Sequence, residues 1–272
     1  MTERTVDTPI AWWLKAWMVV EIGFGLASIR SVFLHPDQTA TNFAWPIAAT
    51  VMAATLGAFY FASALLFVLP LLERRWDRVR VMVLPTLVFA TMMCLTTALH
   101  WSKFSLGTLP FQVWLASYVL PPPIFAAAYA WHQRRALPVG EGATAPLPSA
   151  ARAFLRVNGW AVVAIAAVLF AAPSLLVDRG PWPLTPLTLR ALCSWLIGVG
   201  LLQAFMAREN DWPRVRLATA MLLLLPPALV AQLVRHAGEV DGAHPALWLL
   251  VGDVVAAGAV AAWLWWWRGG RR

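Results

Sequence analysis

The chain has 272 residues, of which 60% are hydrophobic and only 12% charged, and its formal net charge is +8. A soluble domain carries about 25% charged residues to clothe its core, so composition excludes an ordinary soluble globular fold. The basic residues are grouped beside apolar runs, which points to membrane topology rather than to nucleic acid.

The N-terminal stretch "MTERTVDTPIAWWLKAW" is polar and mixed in charge. It lacks a basic leader region and a cleavage site, so the first apolar span is expected to be retained. Apolar runs then recur at close to the ~20 residues that cross about 30 Å of hydrocarbon. In the first half they cover approximately 11–33, 46–72, 81–99 and 108–131. Glu21 falls near the middle of the first, and "LPPPIF" (Pro121, Pro122, Pro123) interrupts the fourth. The stretch "QRRALPVGEGATAPLPSAAR", residues 133–152, is rich in Pro, Gly and small polar residues and reads as a cytoplasmic linker. Four further spans cover approximately 153–176, 186–206, 214–235 and 245–267. Arg190 and Trp195 lie in the sixth, "LLPPAL" (Pro226, Pro227) interrupts the seventh, and Asp253 lies in the eighth. Helices are the expected element, because an open sheet leaves backbone groups unpaired in lipid.

The two halves share an ordered series of landmarks. Trp45-Pro and Trp182-Pro each open a span, and the pentapeptides "WDRVR" (76–80) and "WPRVR" (212–216) follow 31 and 30 residues later. His100 and His236 each come 24 residues after those second tryptophans, and Trp114 and Trp248 follow 14 and 12 residues on. The expected fold class is therefore an all-α integral membrane protein: eight transmembrane helices as two tandem, parallel four-helix repeats. The expected division is residues 1–132, the linker 133–152 and residues 153–272. An even number of spans per repeat inserts both copies the same way up. With the N-terminus inside, 16 of the 21 Lys and Arg fall on cytoplasmic segments, Arg271 and Arg272 among them. Both termini are expected in the cytoplasm and the protein in the cell membrane. The pentapeptides then read as topology anchors, with Arg meeting anionic headgroups and Trp at the interface. Trp76 and Trp212 are assigned to an inner tryptophan belt, and Trp45 and Trp182 to an outer one.

Ionisable groups inside lipid cost about 2.5–3.5 kcal/mol on insertion scales, so Glu21, Arg190 and Asp253 are the candidate functional residues, joined by Trp195 as a candidate cavity wall. Arg190 and Asp253 sit roughly 6 and 12 Å below the outer edge at about 1.5 Å per residue, a difference that an Arg side chain bridges. They are expected to pair. Ala53 aligns with Arg190, and apolar residues with the other two, so a polar site is expected to be asymmetric. His35, His100, His236 and His244 gather at outer helix ends, but none has the i, i+3 or i, i+4 spacing of a metal motif. No metal and no cofactor is expected. Cys94 and Cys193 lie inside apolar runs and read as packing residues.

The stretch "WPLTPLTLRALCSW" (182–195), followed by "ARENDWPRVR", resembles a group of uncharacterised bacterial multi-pass membrane proteins with a Trp-Pro-Leu-Thr-Pro helix start. The first half keeps the Trp-Pro start and lacks the arginine. The resemblance implies architecture alone.

No nucleotide-binding loop, nucleophile elbow, redox cysteine pair or acidic magnesium cluster is present in the sequence. The leading expectation is a protein that binds or moves a small hydrophobic or amphiphilic molecule, or a lipid, without converting it. An enzyme acting on a lipid-like substrate through Glu21 or Asp253 is the alternative, and an accessory subunit docked on another membrane protein is a third. Expected partners are membrane lipids, a small hydrophobic ligand and a membrane protein, but not nucleic acid.

Overall fold

The computed structural model describes residues 8–269; Arg271, Arg272 and the first seven residues lie outside that range. Among the described residues the regular structure is all helical, apart from one isolated bridge, Pro9 to Arg75. Eight helices are long and apolar enough to cross a membrane. They are α1 (Trp12–Leu34), α2 (Thr50–Leu71), α3 (Arg80–Leu99), α4 (Leu109–Gln133), α5 (Ser149–Ala171), α6 (Pro186–Glu209) and α7 (Trp212–Arg235), with α8 at Pro245–Gly269.

Most boundaries fall within a few residues of the expected ones; α5 is displaced toward the N-terminus. It begins at Ser149, directly after Pro148, and its first turns carry Arg152 and Arg156. Hydropathy alone places Arg152 ahead of the span and Arg156 at its start. Arg152 instead donates from Nε to the carbonyl of Ala207 in the last turn of α6 (3.0 Å), where helix carbonyls lack internal donors and favour positive charge.

The Trp-Pro-Leu-Thr-Pro motif is a helix start with a mechanism. Thr185 accepts from the Thr188 backbone N–H (3.2 Å), Thr188 accepts from the Thr185 N–H (3.0 Å), and Pro186 sits where no intrahelical donor is needed. The corresponding start of α2 has no capping side chain of its own. There the Val51 N–H is met by Glu239 Oε2 at 3.0 Å, from the loop between α7 and α8. One half caps the other.

The helices α2 and α6 are the most enclosed of the eight. Packing runs α1 on α2 and α5 on α6, α3 on α4 and α7 on α8, then across the halves as α3 on α6 and α7 on α2, with slighter contacts α1 to α4 and α5 to α8. The pentapeptides meet at one end of this bundle, called here the arginine end; His100 and His236 lie at the other, the histidine end.

Two expectations about proline differ in outcome. α4 is broken at Leu120, just before Pro121. α7 runs unbroken through Pro226 and Pro227. Proline at 226 removes the donor for the Leu222 carbonyl, and α8 covers that spot closely: a Cβ on Gly258 would lie 2.5 Å from Pro226 Cγ and 3.0 Å from the Leu222 oxygen. Only glycine admits this approach, so the prolines of α7 serve packing.

The expected tryptophan belts are also revised. Trp45, Trp76, Trp182 and Trp212 are buried, whereas Trp12, Trp101, Trp131, Trp160, Trp248 and Trp266 are exposed. Trp45 packs against Trp114 (centroids 4.7 Å apart) and Phe104 (5.1 Å). Trp76 stacks on His132 at 4.4 Å, whose Nδ1 donates to the Ala128 carbonyl (2.7 Å) while Nε2 accepts from the Ala11 N–H (3.0 Å). The tryptophans that open the matched helices pack inside the bundle rather than facing outward.

Candidate ligand cavity and the buried polar groups around it

The repeated pentapeptide is one part of a longer pattern, Glu-x-x-Trp-x-Arg-Val-Arg, at 73–80 and 209–216. Glu209 accepts from Arg214 of its own half (2.9 Å) and from Arg80 of the other (2.5 Å). Glu73 is bridged by Arg78 of its own half (3.2 Å) and by Arg216 of the other (2.6 Å). The same exchange is thus made twice, once in each direction. Asp77 and Asp211 each lie 3.3 Å from Arg214 Nε. The carbonyls of Leu137, Glu141 and Gly142 take the remaining donors of Arg80 and Arg214, and Asp211 Oδ1 accepts from the N–H groups of Thr144 and Ala145 (2.8 and 2.7 Å). Gly140 and Gly142, at φ 87° and 63°, permit the turns that bring this connecting segment across the network. Arg80 and Arg214 are each only 2% exposed, so the reading of these arginines as headgroup anchors does not hold. Each is neutralised by a buried carboxylate, which is how a charge is kept inside a protein.

The expected Arg190–Asp253 pair is not formed. Arg190 donates from Nε to the Phe170 carbonyl at the end of α5 (3.0 Å), and its NH1 lies 2.8 Å from His100 Nε2 at the end of α3. Burial, together with Arg190 and Lys103, holds the His100 pKa below its ordinary value, so the neutral ring accepts from the guanidinium. Asp253 turns to another neighbour: Asn158 of α5 donates to its Oδ1 at 2.7 Å and to Gln203 Oε1 of α6 at 3.1 Å. Similar depth along the helices allowed the pair; the rotation of each helix about its own axis forbids it.

Glu21 and Trp195, by contrast, line one cavity, formed by α1, α2, α3, α4 and α6. Glu21, Phe24, Gly25 and Ser28 reach it from α1 at i, i+3, i+4 and i+7, one face of a helix. Tyr60 of α2 and Tyr118 of α4 meet hydroxyl to hydroxyl beside it. The Trp195 ring lies 4.0 Å from Phe89 and 4.9 Å from Tyr60. Two further cavities abut this one. The first shares Phe89 and Trp195 and continues toward Met221 in α7; the second shares Ser28 and Ser117 and continues past Arg30 and Asn42.

Glu21 is buried, and among the described residues its Oε1 has no hydrogen-bond partner; nor has the Trp195 indole nitrogen. Trp17, one turn earlier, is its polar neighbour, yet the Trp17 indole nitrogen is also without a partner there. Such groups are few in folded proteins, and each asks for a reason. Three of the cavity helices also leave regular α geometry at its level: α1 becomes a wider helix from Ile29, α2 breaks at Ala64, and α4 breaks at Leu120. The helices α5 to α8 run through without such breaks.

Several residues here are not evident from sequence patterns alone. Tyr60 and Tyr118 are two of three tyrosines in the chain, a usable signal. Asn158 carries a sharper one: Glu21 and Asn158 each stand 24 residues ahead of Trp45 and Trp182, so the polar residue in α1 does have a counterpart. Both sit in polar groups built within one half, namely Glu21 with Tyr60 and Tyr118, and Asn158 with Gln203 and Asp253. In the second group the Asn158 amide donates to the Asp253 carboxylate. In the first the carboxylate faces a cavity.

No family model, no curated protein and no solved structure matches this chain.

Proposed function

We propose that this chain is an integral protein of the cell membrane that binds a small amphiphilic molecule in the Glu21–Trp195 cavity and holds or moves it without converting it. The observation that carries the reading is the cavity itself: aromatic walls around a buried carboxylate whose Oε1 has no partner among the described residues. Ligand sites are mostly apolar with a few placed polar groups, and helices broken at a cavity are a recurring feature of membrane transport sites. Arg190 and Asp253, the other two charged candidates, fall outside this reading, because each is engaged elsewhere.

Two tandem parallel repeats, with both termini cytoplasmic, account for the architecture. Exchanging the halves maps every major packing pair onto another, and maps the Glu73 bridges onto the Glu209 bridges. The arginine end also carries Arg74, Arg134, Arg135 and Arg208, as expected of a cytoplasmic face.

Native mass spectrometry on protein purified from its membranes tests the reading. A retained small molecule or lipid is expected. A Cβ at Gly25 meets no atom within 4 Å, and Gly25 lines the cavity, so Gly25→Leu should displace the ligand while Arg190→Ala leaves it bound. Conversion of a labelled lipid by the purified protein, stopped by Glu21→Gln, would replace binding with catalysis as the function.

A further inference from the structure

We infer that the molecule held in this cavity is an organic cation, an ammonium group on an apolar or aromatic body; the inference rests on the binding reading above and specifies its ligand class. The cavity offers more acceptors than donors, the Trp195 indole N–H being its one side-chain donor left buried without a partner among the described residues. Glu21 contributes a carboxylate oxygen without a partner among the described residues. The hydroxyls of Ser63, Thr86 and Ser117 spend their protons on carbonyls of their own helices, those of Tyr60 (2.9 Å), Met82 (2.8 Å) and Val113 (2.8 Å), and so turn lone pairs toward any ligand. Residues 121–123 are all proline and have no N–H, which leaves the Ser117, Tyr118 and Val119 carbonyls without their helical donors. Two of those three residues line the cavity.

The walls add to this bias. Six aromatic residues line the space, among them Tyr60, Phe89, Tyr118 and Trp195. Ring faces carry negative charge density and attract cations, quaternary ammonium groups above all. Among the described residues no Lys, Arg or His lines the cavity, so a bound ammonium group would be the counter-ion of Glu21, whereas an anionic headgroup would meet no cation there. Asn158 marks the contrast, since in the equivalent place of the second half the carboxylate, Asp253, is already met by the Asn158 amide.

The test uses purified full-length protein in nanodiscs with two probes of one shape: benzyltrimethylammonium and its uncharged carbon isostere, neopentylbenzene. The cation is expected to bind at least about tenfold tighter than the isostere. Glu21→Gln should erase that difference, and Gly25→Leu should abolish binding of both probes. Gly23→Leu, also in open space but away from the cavity, should leave both unchanged. Equal binding of the two probes, lost in Gly25→Leu, would overturn the cation inference and leave the cavity as an apolar site. Binding of neither probe, or binding indifferent to Gly25→Leu, would overturn the inference and remove the cavity from the proposed function as well. If Glu21→Gln does not fold, the comparison of probes on the unaltered protein still decides.

Discussion

Replacing Glu209 by Gln removes one negative charge from a place where two guanidinium groups depend on it. Glu209 is 1% exposed and holds Arg80 at 2.5 Å and Arg214 at 2.9 Å. Gln keeps the shape and one acceptor oxygen, so the change isolates the charge. Arg214 retains Asp77 and Asp211 at 3.3 Å, but Arg80 is left with no carboxylate, only neutral carbonyl oxygens. Leaving a buried charge uncompensated costs about 3–5 kcal/mol, or a fall in melting temperature of roughly 6–20 °C for a chain of this size. The same substitution at Glu73, the matching position, removes bridges to Arg78 and Arg216, whose side chains are 31% and 39% exposed. Solvent already screens those charges, and the cost there should stay below about 1 kcal/mol. Thermal unfolding in detergent can be followed with a thiol-reactive dye, since Cys193 is buried and Cys94 half-buried in the folded chain. The double variant Arg80→Gln with Glu209→Gln should recover part of the loss. Equal losses at Glu73 and Glu209, or strict additivity in the double variant, would refute the argument that burial makes this network asymmetric in energy.

Two further outcomes are expected. In a cysteine-free background, cysteines at the exposed positions Lys103 and Gly238 should react with an impermeant maleimide added to intact cells, and one at Arg135 should react only after permeabilisation; the reverse pattern would overturn the orientation. Because the folded His100 pKa is held below its ordinary value of about 6.5, the unfolded chain takes up this proton first as pH falls. The stability this residue contributes is therefore present above pH ~6.5 and lost as pH drops through the folded value. Melting temperatures between pH 7 and 5 should fall less in His100→Gln than in the unaltered protein, and an equal fall would refute the lowered His100 pKa.

The eight helices are legible along the chain because length and hydropathy are local properties: a run of about 20 apolar residues needs no partner to declare itself. So are the start of α6, where Thr185, Pro186 and Thr188 satisfy their own backbone, and the matched spacing of the two halves. The tertiary structure decided which way each polar side chain faces. Arg190 and Asp253 have compatible depths, yet one turns toward Phe170 and His100 and the other toward Asn158. Glu209 has the look of loop charge and is buried, because its two arginines arrive from segments 129 and five residues away. Glu21 shares a cavity with Trp195 although 174 positions separate them. A helix declares its period in sequence, but its rotation is set by what packs against it, and those partners come from distant segments.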